Sequence, residues 1–235
     1  NTDTKKMAFV REGTQDKGEI TSLALSPSKK YLAVCERSEH AQVSIYHLAS
    51  QRRTKVLPQG GALDVGSNEF VTASFSADSK MLAAITGDFT IALWLWDKGR
   101  LLALQKNPMA ATFGINRVGF NPTDPTTLST TGPKFFKLWR YADGQLKVWN
   151  VNLHKGREHQ NYTDHCWLPG DDRVAACTDQ GEIFIAEKGE VKTVIASGAS
   201  AANPNKFLCL TPFARGFLAA GENGVLCVFE AAKDD

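Results

Sequence analysis

The chain has 235 residues, 43% of them hydrophobic, enough to bury a sizeable core, and a regular all-β array of this length need not divide into domains. A formal charge of +2 and an isoelectric point near 8.3 are too mild for nucleic acid as the main ligand. No apolar run reaches membrane-spanning length, and the N-terminus, which is not Met, carries no charged-then-apolar leader; the sequence reads as a mature or truncated soluble piece.

In chain order, Lys6 to Val10 reads as the fourth strand of a unit whose first three strands are missing. From there a turn recurs after a short apolar strand: Ser26-Pro27, Ser76-Ala77, Asn121-Pro122, Leu168-Pro169 and Thr211-Pro212, at separations of 50, 45, 47 and 43 residues. Before each turn stand two apolar positions two apart, Leu23 and Leu25, Ala73 and Phe75, Val118 and Phe120, Leu208 and Leu210; the fourth copy has His165 and Trp167. After each turn, a third strand closes on Tyr46, Trp96, Trp139, Ile185 or Phe229, after 19, 19, 17, 16 and 17 residues. The copies lie near 19–57, 69–106, 115–151, 163–196 and 205–230, within one domain spanning 1–235.

The second copy shows the unit most fully. Ala73 and Phe75 alternate in a first run, Met81 to Ile85 form a second, Ile91 to Trp96 a third and Leu101 to Leu104 a fourth. Ser76 to Ser79, Gly87 to Asp88 and Asp97 to Gly99 fall between the runs, as hairpin turns require. In the third run Ile91, Leu93 and Leu95 point one way and Ala92, Trp94 and Trp96 the other, so both faces of the strand are apolar. Such a strand needs cover on both sides, which neighbouring copies of the same sheet supply. Asp179-Gln180-Gly181 and Glu222-Asn223-Gly224 add tight-hairpin signals in the last two copies.

Four strands per unit and a period near 45 residues define a WD-type β-propeller, all-β, of about five divergent blades. Trp-Asp survives only at Trp96-Asp97 and no Gly-His pair precedes a first strand, so the hydrogen-bonded bracing of such blades is expected to be largely lost in favour of apolar packing. The fifth copy ends after its third strand. Either the N-terminal strand completes it as a clasp, or the chain is cut from a larger propeller; the second is favoured because seven blades are commoner and both ends fall inside a repeat.

His154 to Thr163 and Ser197 to Asn205 read as surface loops. Cys35, Cys166, Cys177, Cys209 and Cys227 sit in apolar runs without metal-type spacing and read as small buried hydrophobes, a pattern that suits a reducing, intracellular compartment. His154 and His159 do not match zinc-ligand spacing and read as solvated loop residues. His165, in an otherwise apolar slot, reads as a core histidine bonded to backbone. Gly60-Gly61 lacks the Lys-Ser/Thr and helix of a phosphate loop, no serine sits in a nucleophile elbow, and Asp171-Asp172 reads as a turn. No catalytic residue, cofactor or metal is assigned. Arg52, Arg53 and Lys55 form a basic cluster that either binds a partner or is a solvated edge resisting strand pairing.

The residue runs Leu23-Ala24-Leu25-Ser26-Pro27 with Tyr31-Leu32-Ala33, Phe75-Ser76 with Asp78-Ser79-Lys80, Trp94-Leu95-Trp96, Phe136-Lys137-Leu138, and Gln160-Asn161-Tyr162 followed by His165 and Trp167 resemble the N-terminal propeller of the cilia- and flagella-associated protein 57 family, WD-repeat and coiled-coil proteins of the axoneme. The likeness runs from Gly18 to Glu230; the family's later blades and coiled coil are not represented, and loop 197–205 is shorter than its counterpart. The resemblance implies a non-enzymatic scaffold of the ciliary axoneme that helps place inner-arm dyneins on doublet microtubules, with dynein and regulatory-complex components as partners, the microtubule contacted indirectly, and no nucleic acid or membrane. On that reading Arg52, Arg53, Lys55, His159, Gln160, Asn161 and Tyr162 are candidate partner contacts. Two rivals remain: a propeller that binds tubulin directly, and a propeller enzyme with His, Asp or Glu converging in its central channel.

Overall fold

The structure is a computed structural model, and it describes residues 18–39, 41–58, 67–106, 114–153, 157, 159–196 and 205–231. The strand read at Lys6 to Val10, Gly60-Gly61, His154 and most of the loop 197–205 lie outside the described residues.

Each repeat folds as an antiparallel meander. Blade 1 comprises β1 (Glu19–Leu25), β2 (Tyr31–Arg37), β3 (Gln42–His47) and β4 (Arg52–Pro58); blade 2 comprises β5 (Phe70–Phe75), β6 (Met81–Thr86), β7 (Thr90–Leu95) and β8 (Arg100–Lys106). Blade 3 comprises β9 (Arg117–Phe120), β10 (Thr127–Gly132), β11 (Phe135–Ala142) and β12 (Gln145–Asn150); blade 4 comprises β13 (Tyr162–Trp167), β14 (Arg173–Thr178), β15 (Glu182–Glu187) and β16 (Glu190–Ala196). Blade 5 shows three strands among the described residues, β17 (Phe207–Phe213), β18 (Gly216–Gly221) and β19 (Leu226–Glu230). The first strands β1, β5, β9, β13 and β17 neighbour one another in that order and line the axis.

The third strand of blade 2 has the two-sided cover that its sequence demands. Ala92 and Trp94 join a buried cluster with Val43, Ile45 and Leu57 of blade 1, while Ile91 and Leu93 join one with Val118, Phe120 and Leu128 of blade 3. Trp96 lies just past β7, at the start of a single 3-10 turn (Trp96–Lys98), yet it stays in the same cluster as Trp94. Its indole Nε1 donates to Ser79 O at 2.8 Å, and Tyr31 of blade 1 meets it edge-on.

In the internal blades the positions before each turn are the part of a first strand that packs on the preceding blade; in blade 5 only Leu210 of the expected pair does so, since Leu208 sits at a bulge and is 51% exposed. Ala73 and Phe75 bury against blade 1, Val118 and Phe120 against blade 2, and Trp167 against blade 3. At blade 1 the same positions, Leu23 and Leu25, are 59% and 53% exposed; at the other end of the arc Leu226 and Val228 are 66% and 59% exposed. Both terminal blades therefore present apolar faces of the kind that the internal junctions bury.

A β-bulge recurs in the first strands, at Thr21, Val71, Thr163 and Leu208. A bulge re-aims its side chain, and at two of these positions the result is a clasp between blades: Thr21 Oγ1 donates to Phe70 O, and Thr163 Oγ1 to Phe207 O at 2.7 Å. Between blades 3 and 4 Asn116 Nδ2 does the same to Tyr162 O at 3.1 Å. Hairpin turns reach the left-handed region at Gly181, as the sequence predicts, but also at Phe89 and Lys134, where φ is 63° without a glycine. Cys35, Cys166 and Cys177 are buried, and burial pushes their thiols up to about 12. Cys209 departs from the buried reading: it is exposed, on the open face of blade 5.

Candidate functional site

The axis holds a cavity of about 500 Å³ walled by the first strands and by Pro27, Pro122 and Pro169 of the recurring turns; the wall proline of blade 5, Pro212, corrects the expected turn at Thr211-Pro212, because β17 runs on through it to Phe213 and pairs it with Phe217. Its polar lining is Ser22 of blade 1, Thr72 and Ser74 of blade 2, Arg117 of blade 3 and His165 of blade 4, the last two held by a buried network behind the wall. Asp164 on β13 is buried and ties three blades together: it accepts Leu210 N of blade 5 at 2.8 Å and its neighbour His165 N at 2.8 Å, and pairs with Arg117 Nε of blade 3 at 3.2 Å. Burial raises its pKa, opposed by the Arg117 charge and the two backbone N–H groups.

His165 is buried as the sequence predicts, but its partners are hydroxyls rather than backbone. Ser129 Oγ lies 2.7 Å from Nε2 and Thr131 Oγ1 2.8 Å from Nδ1, both from the facing strand β10. Ser129 Oγ also accepts Trp167 Nε1 at 2.7 Å and lies 3.2 Å from Gly119 O. A hydroxyl has one proton to give. If Ser129 gives it to Gly119 O, then Nε2–H donates to Ser129 and Nδ1 accepts from Thr131, and every group is satisfied by one neutral tautomer. Burial, with Arg117 adding to it, holds the His165 pKa down to about 3. Gly119 is required underneath, since a Cβ there would stand 2.8 Å from His165 Nε2. This buried network corrects the expectation that bracing is lost: the Gly-His and Trp-Asp devices are missing at this junction, but serine, threonine, histidine and tryptophan replace them.

Serine, histidine and aspartate thus lie close together without forming a nucleophilic relay. Asp164 bonds the His165 backbone N–H rather than its ring, and Ser129 is buried and holds three contacts already. Among the described residues no group of three or more His, Cys, Asp and Glu side chains is arranged to hold a metal ion.

The Gln160-Asn161-Tyr162 run is a seam between blades. Tyr162 is fully buried between Phe136 and Phe184, with ring centroids 5.7 and 5.6 Å away, and its hydroxyl donates to Arg157 O at 3.1 Å. It therefore cannot contact a partner from the surface, which corrects its place among the candidate contacts. Asn161 Nδ2 donates to Asp179 at 2.8 Å, and Gln160 Nε2 donates to Glu182, which also pairs with Arg157 at 2.9 Å. Of the four, His159 is the exposed one. Asp172 is likewise more than a turn residue: it accepts Asn121 Nδ2 at 3.2 Å and Thr123 Oγ1, joining the turns of blades 3 and 4.

Arg52, Arg53 and Lys55 lie on β4, the outer edge of blade 1. Arg52 is exposed; Arg53 and Lys55 are half-buried opposite Tyr46 and Ile45. The folded chain extends this cluster in both directions. The backbone bond from Leu48 N to Lys30 O, 2.8 Å, brings the β1–β2 turn with Lys29 and Lys30 beside it. On the other side the Lys55 side chain reaches the Gly99 turn of blade 2, flanked by Lys98 and Arg100. Ser28 N donates to Ser79 Oγ at 3.2 Å and knits the turns of the two blades into one basic rim, where Asp78 and Asp97 pair with Lys80 and Lys98 at 3.7 and 3.6 Å. Sequence reading found three cations of this surface; the rest come from turns that only folding brings together.

No family model matches the sequence. In the solved structures, the β-propeller domain of Cps50 (Swd1) from Myceliophteria thermophila superposes with a TM-score of 0.70 over 89% of this chain and 65% of that one, at 14% identity. Fold and neighbour together define a WD-type β-propeller. Among curated proteins, the chain is 35% identical over 200 residues to mouse cilia- and flagella-associated protein 57, covering 81% of this chain and 15% of the relative. It is 28% identical over 148 residues to cilia- and flagella-associated protein 57 C of Tetrahymena thermophila, 59% of this chain and 11% of the relative, and 26% identical over 125 residues to mouse cilia- and flagella-associated protein 44, 52% and 6%. By its sequence the chain belongs to the cilia- and flagella-associated protein 57 family, as a propeller segment spanning under a sixth of the curated relatives it matches.

Proposed function

We propose that this propeller is a non-enzymatic interaction scaffold of the ciliary or flagellar axoneme, which holds other axonemal proteins through its rims and contributes to an adaptor that positions inner-arm dyneins on doublet microtubules. The observation that carries the reading is the basic rim of blades 1 and 2 on a fold whose relatives are named for cilia and flagella. The absence of catalysis is supported by the channel wall, where His165 and the Asp164 and Ser129 behind it are consumed in holding blades 3, 4 and 5 to one another. Arg52, Arg53, Lys55 and His159 remain proposed contacts; Gln160 and Asn161 act by shaping the loop that presents His159.

The basic rim also favours a second reading, direct binding to the acidic microtubule surface. Exposed charges are screened over about 8 Å at physiological salt, and each pair contributes about 0–1 kcal/mol, so steering is the realistic role. Co-sedimentation decides between them. On the scaffold reading the chain pellets weakly with bare microtubules and tightly with salt-extracted axonemes that retain their docking proteins. Submicromolar binding to bare microtubules, abolished by reversing Arg52, Arg53 and Lys55, establishes the tubulin reading instead.

A further inference from the structure

Blades 3 and 4 enclose a second pocket, of about 270 Å³, at the same rim as the basic cluster, since both are built from the turns joining first to second and third to fourth strands. Trp149 and Trp167 supply apolar wall, and the charged lining is Arg140, Lys188, Asp124 and Asp172. The charges balance formally but differ in how far they are satisfied. Asp124 accepts Thr126 N at 2.9 Å, Thr126 Oγ1 at 2.6 Å and Thr127 Oγ1 at 2.8 Å. Asp172 accepts Asn121 Nδ2 at 3.2 Å and Thr123 Oγ1. Arg140 and Lys188 are exposed, their charges act on Asp124 and Asp172 only through space, and their side chains make no hydrogen bond or ion pair with any described residue. Two cations with unused donors therefore share a pocket whose carboxylates are already bound by local hydroxyl, amide and backbone N–H groups.

We propose that this pocket receives a glutamate or aspartate side chain from an acidic segment of a partner protein. The carboxylate takes the donors of Arg140 and Lys188, and its methylene stem lies on the Trp149 indole, the arrangement that an aromatic wall beside two cations favours. A phosphate fits less well: with Asp124 and Asp172 in the lining, its second negative charge adds repulsion that a singly charged carboxylate does not. The site is separate from the basic rim of blades 1 and 2 and does not depend on the scaffold reading.

The test uses the whole chain carrying Arg52→Gln, Arg53→Gln and Lys55→Gln, which removes the other basic cluster, with ¹⁵N-labelled tryptophan indoles. The Trp149 resonance is assigned with Trp149→Phe. An oligo-glutamate peptide is expected to shift that resonance saturably, and an oligo-glutamine peptide of equal length is not. Arg140→Gln with Lys188→Gln should raise the dissociation constant about tenfold or more at an unchanged melting temperature. Should the pair unfold the chain, Lys188→Gln alone, on an exposed turn, is expected to weaken binding severalfold. An unmoved Trp149 resonance, equal shifts from both peptides, unchanged affinity in the variants, or tighter binding of an oligo-phosphoserine peptide would each overturn the proposal.

Discussion

The His165 ring is held as a neutral group, and that has a pH signature. Its folded-state pKa of about 3 lies below the ordinary 6.5, so on acidification the unfolded chain takes up this proton first. The contribution to stability is complete above about pH 6.5 and is lost as pH falls toward 3, at about 1.4 kcal/mol per pH unit in that window. Asp164 works in the opposite sense, because its raised pKa favours a protonated folded state, but only in the carboxylate range. Chemical denaturation between about pH 6.5 and 5 should therefore show stability falling with pH in the parent and a flatter profile in His165→Gln. Equal slopes would mean that the ring is protonated in the fold. Sequence reading placed His165 in the core from its slot in the repeat, but its partners were not legible, because Ser129 and Thr131 lie more than thirty residues away and face it only across a blade junction. Tyr162 shows the converse: a distinctive run marks it for attention, yet distinctiveness carries no information about exposure.

At the scale of the element, strand β7 was the most legible part of the chain, since apolar residues on both faces leave few alternatives to burial between sheets. Trp94 meets Phe70 edge-on at 6.1 Å between ring centroids, and Trp96 meets Phe75 at 5.9 Å. Truncating either tryptophan to Ala should cost about 3–5 kcal/mol, read as a lower denaturant midpoint. A midpoint equal to the parent's would show that the blade 1–2 junction is not packed as described. The turns were less legible: Phe89 and Lys134 adopt a conformation that composition assigns to glycine or asparagine, and the surrounding ladder imposes it. The bulge clasps were also hidden, because Thr21, Val71, Thr163 and Leu208 share a position but only the two threonines have a hydroxyl to donate.

At the scale of the whole array of blades, apolar faces of blades 1 and 5 are uncovered among the described residues. Leu23 and Leu25 at one end, and Leu226 and Val228 at the other, occupy the kind of surface that internal junctions bury. Exposed apolar patches of this kind drive association. Replacing these four by threonine should reduce self-association in sedimentation velocity and leave the melting temperature within a few degrees of the parent. A collapse of thermal stability comparable to the tryptophan variants would show that those leucines and that valine are already buried by the chain itself.

The central claim is that the propeller serves the axoneme as a scaffold through its basic rim. Lysine cross-linking in intact axonemes, read by mass spectrometry, tests it most directly, because the two rims carry different lysines. Lys29, Lys30, Lys55 and Lys98 mark the basic rim, and Lys106, Lys134 and Lys206 the opposite one. The account predicts links from the first group to other axonemal proteins, dynein-arm components among them. Links to such proteins from the second group alone, or no links from either to any axonemal protein, would contradict it.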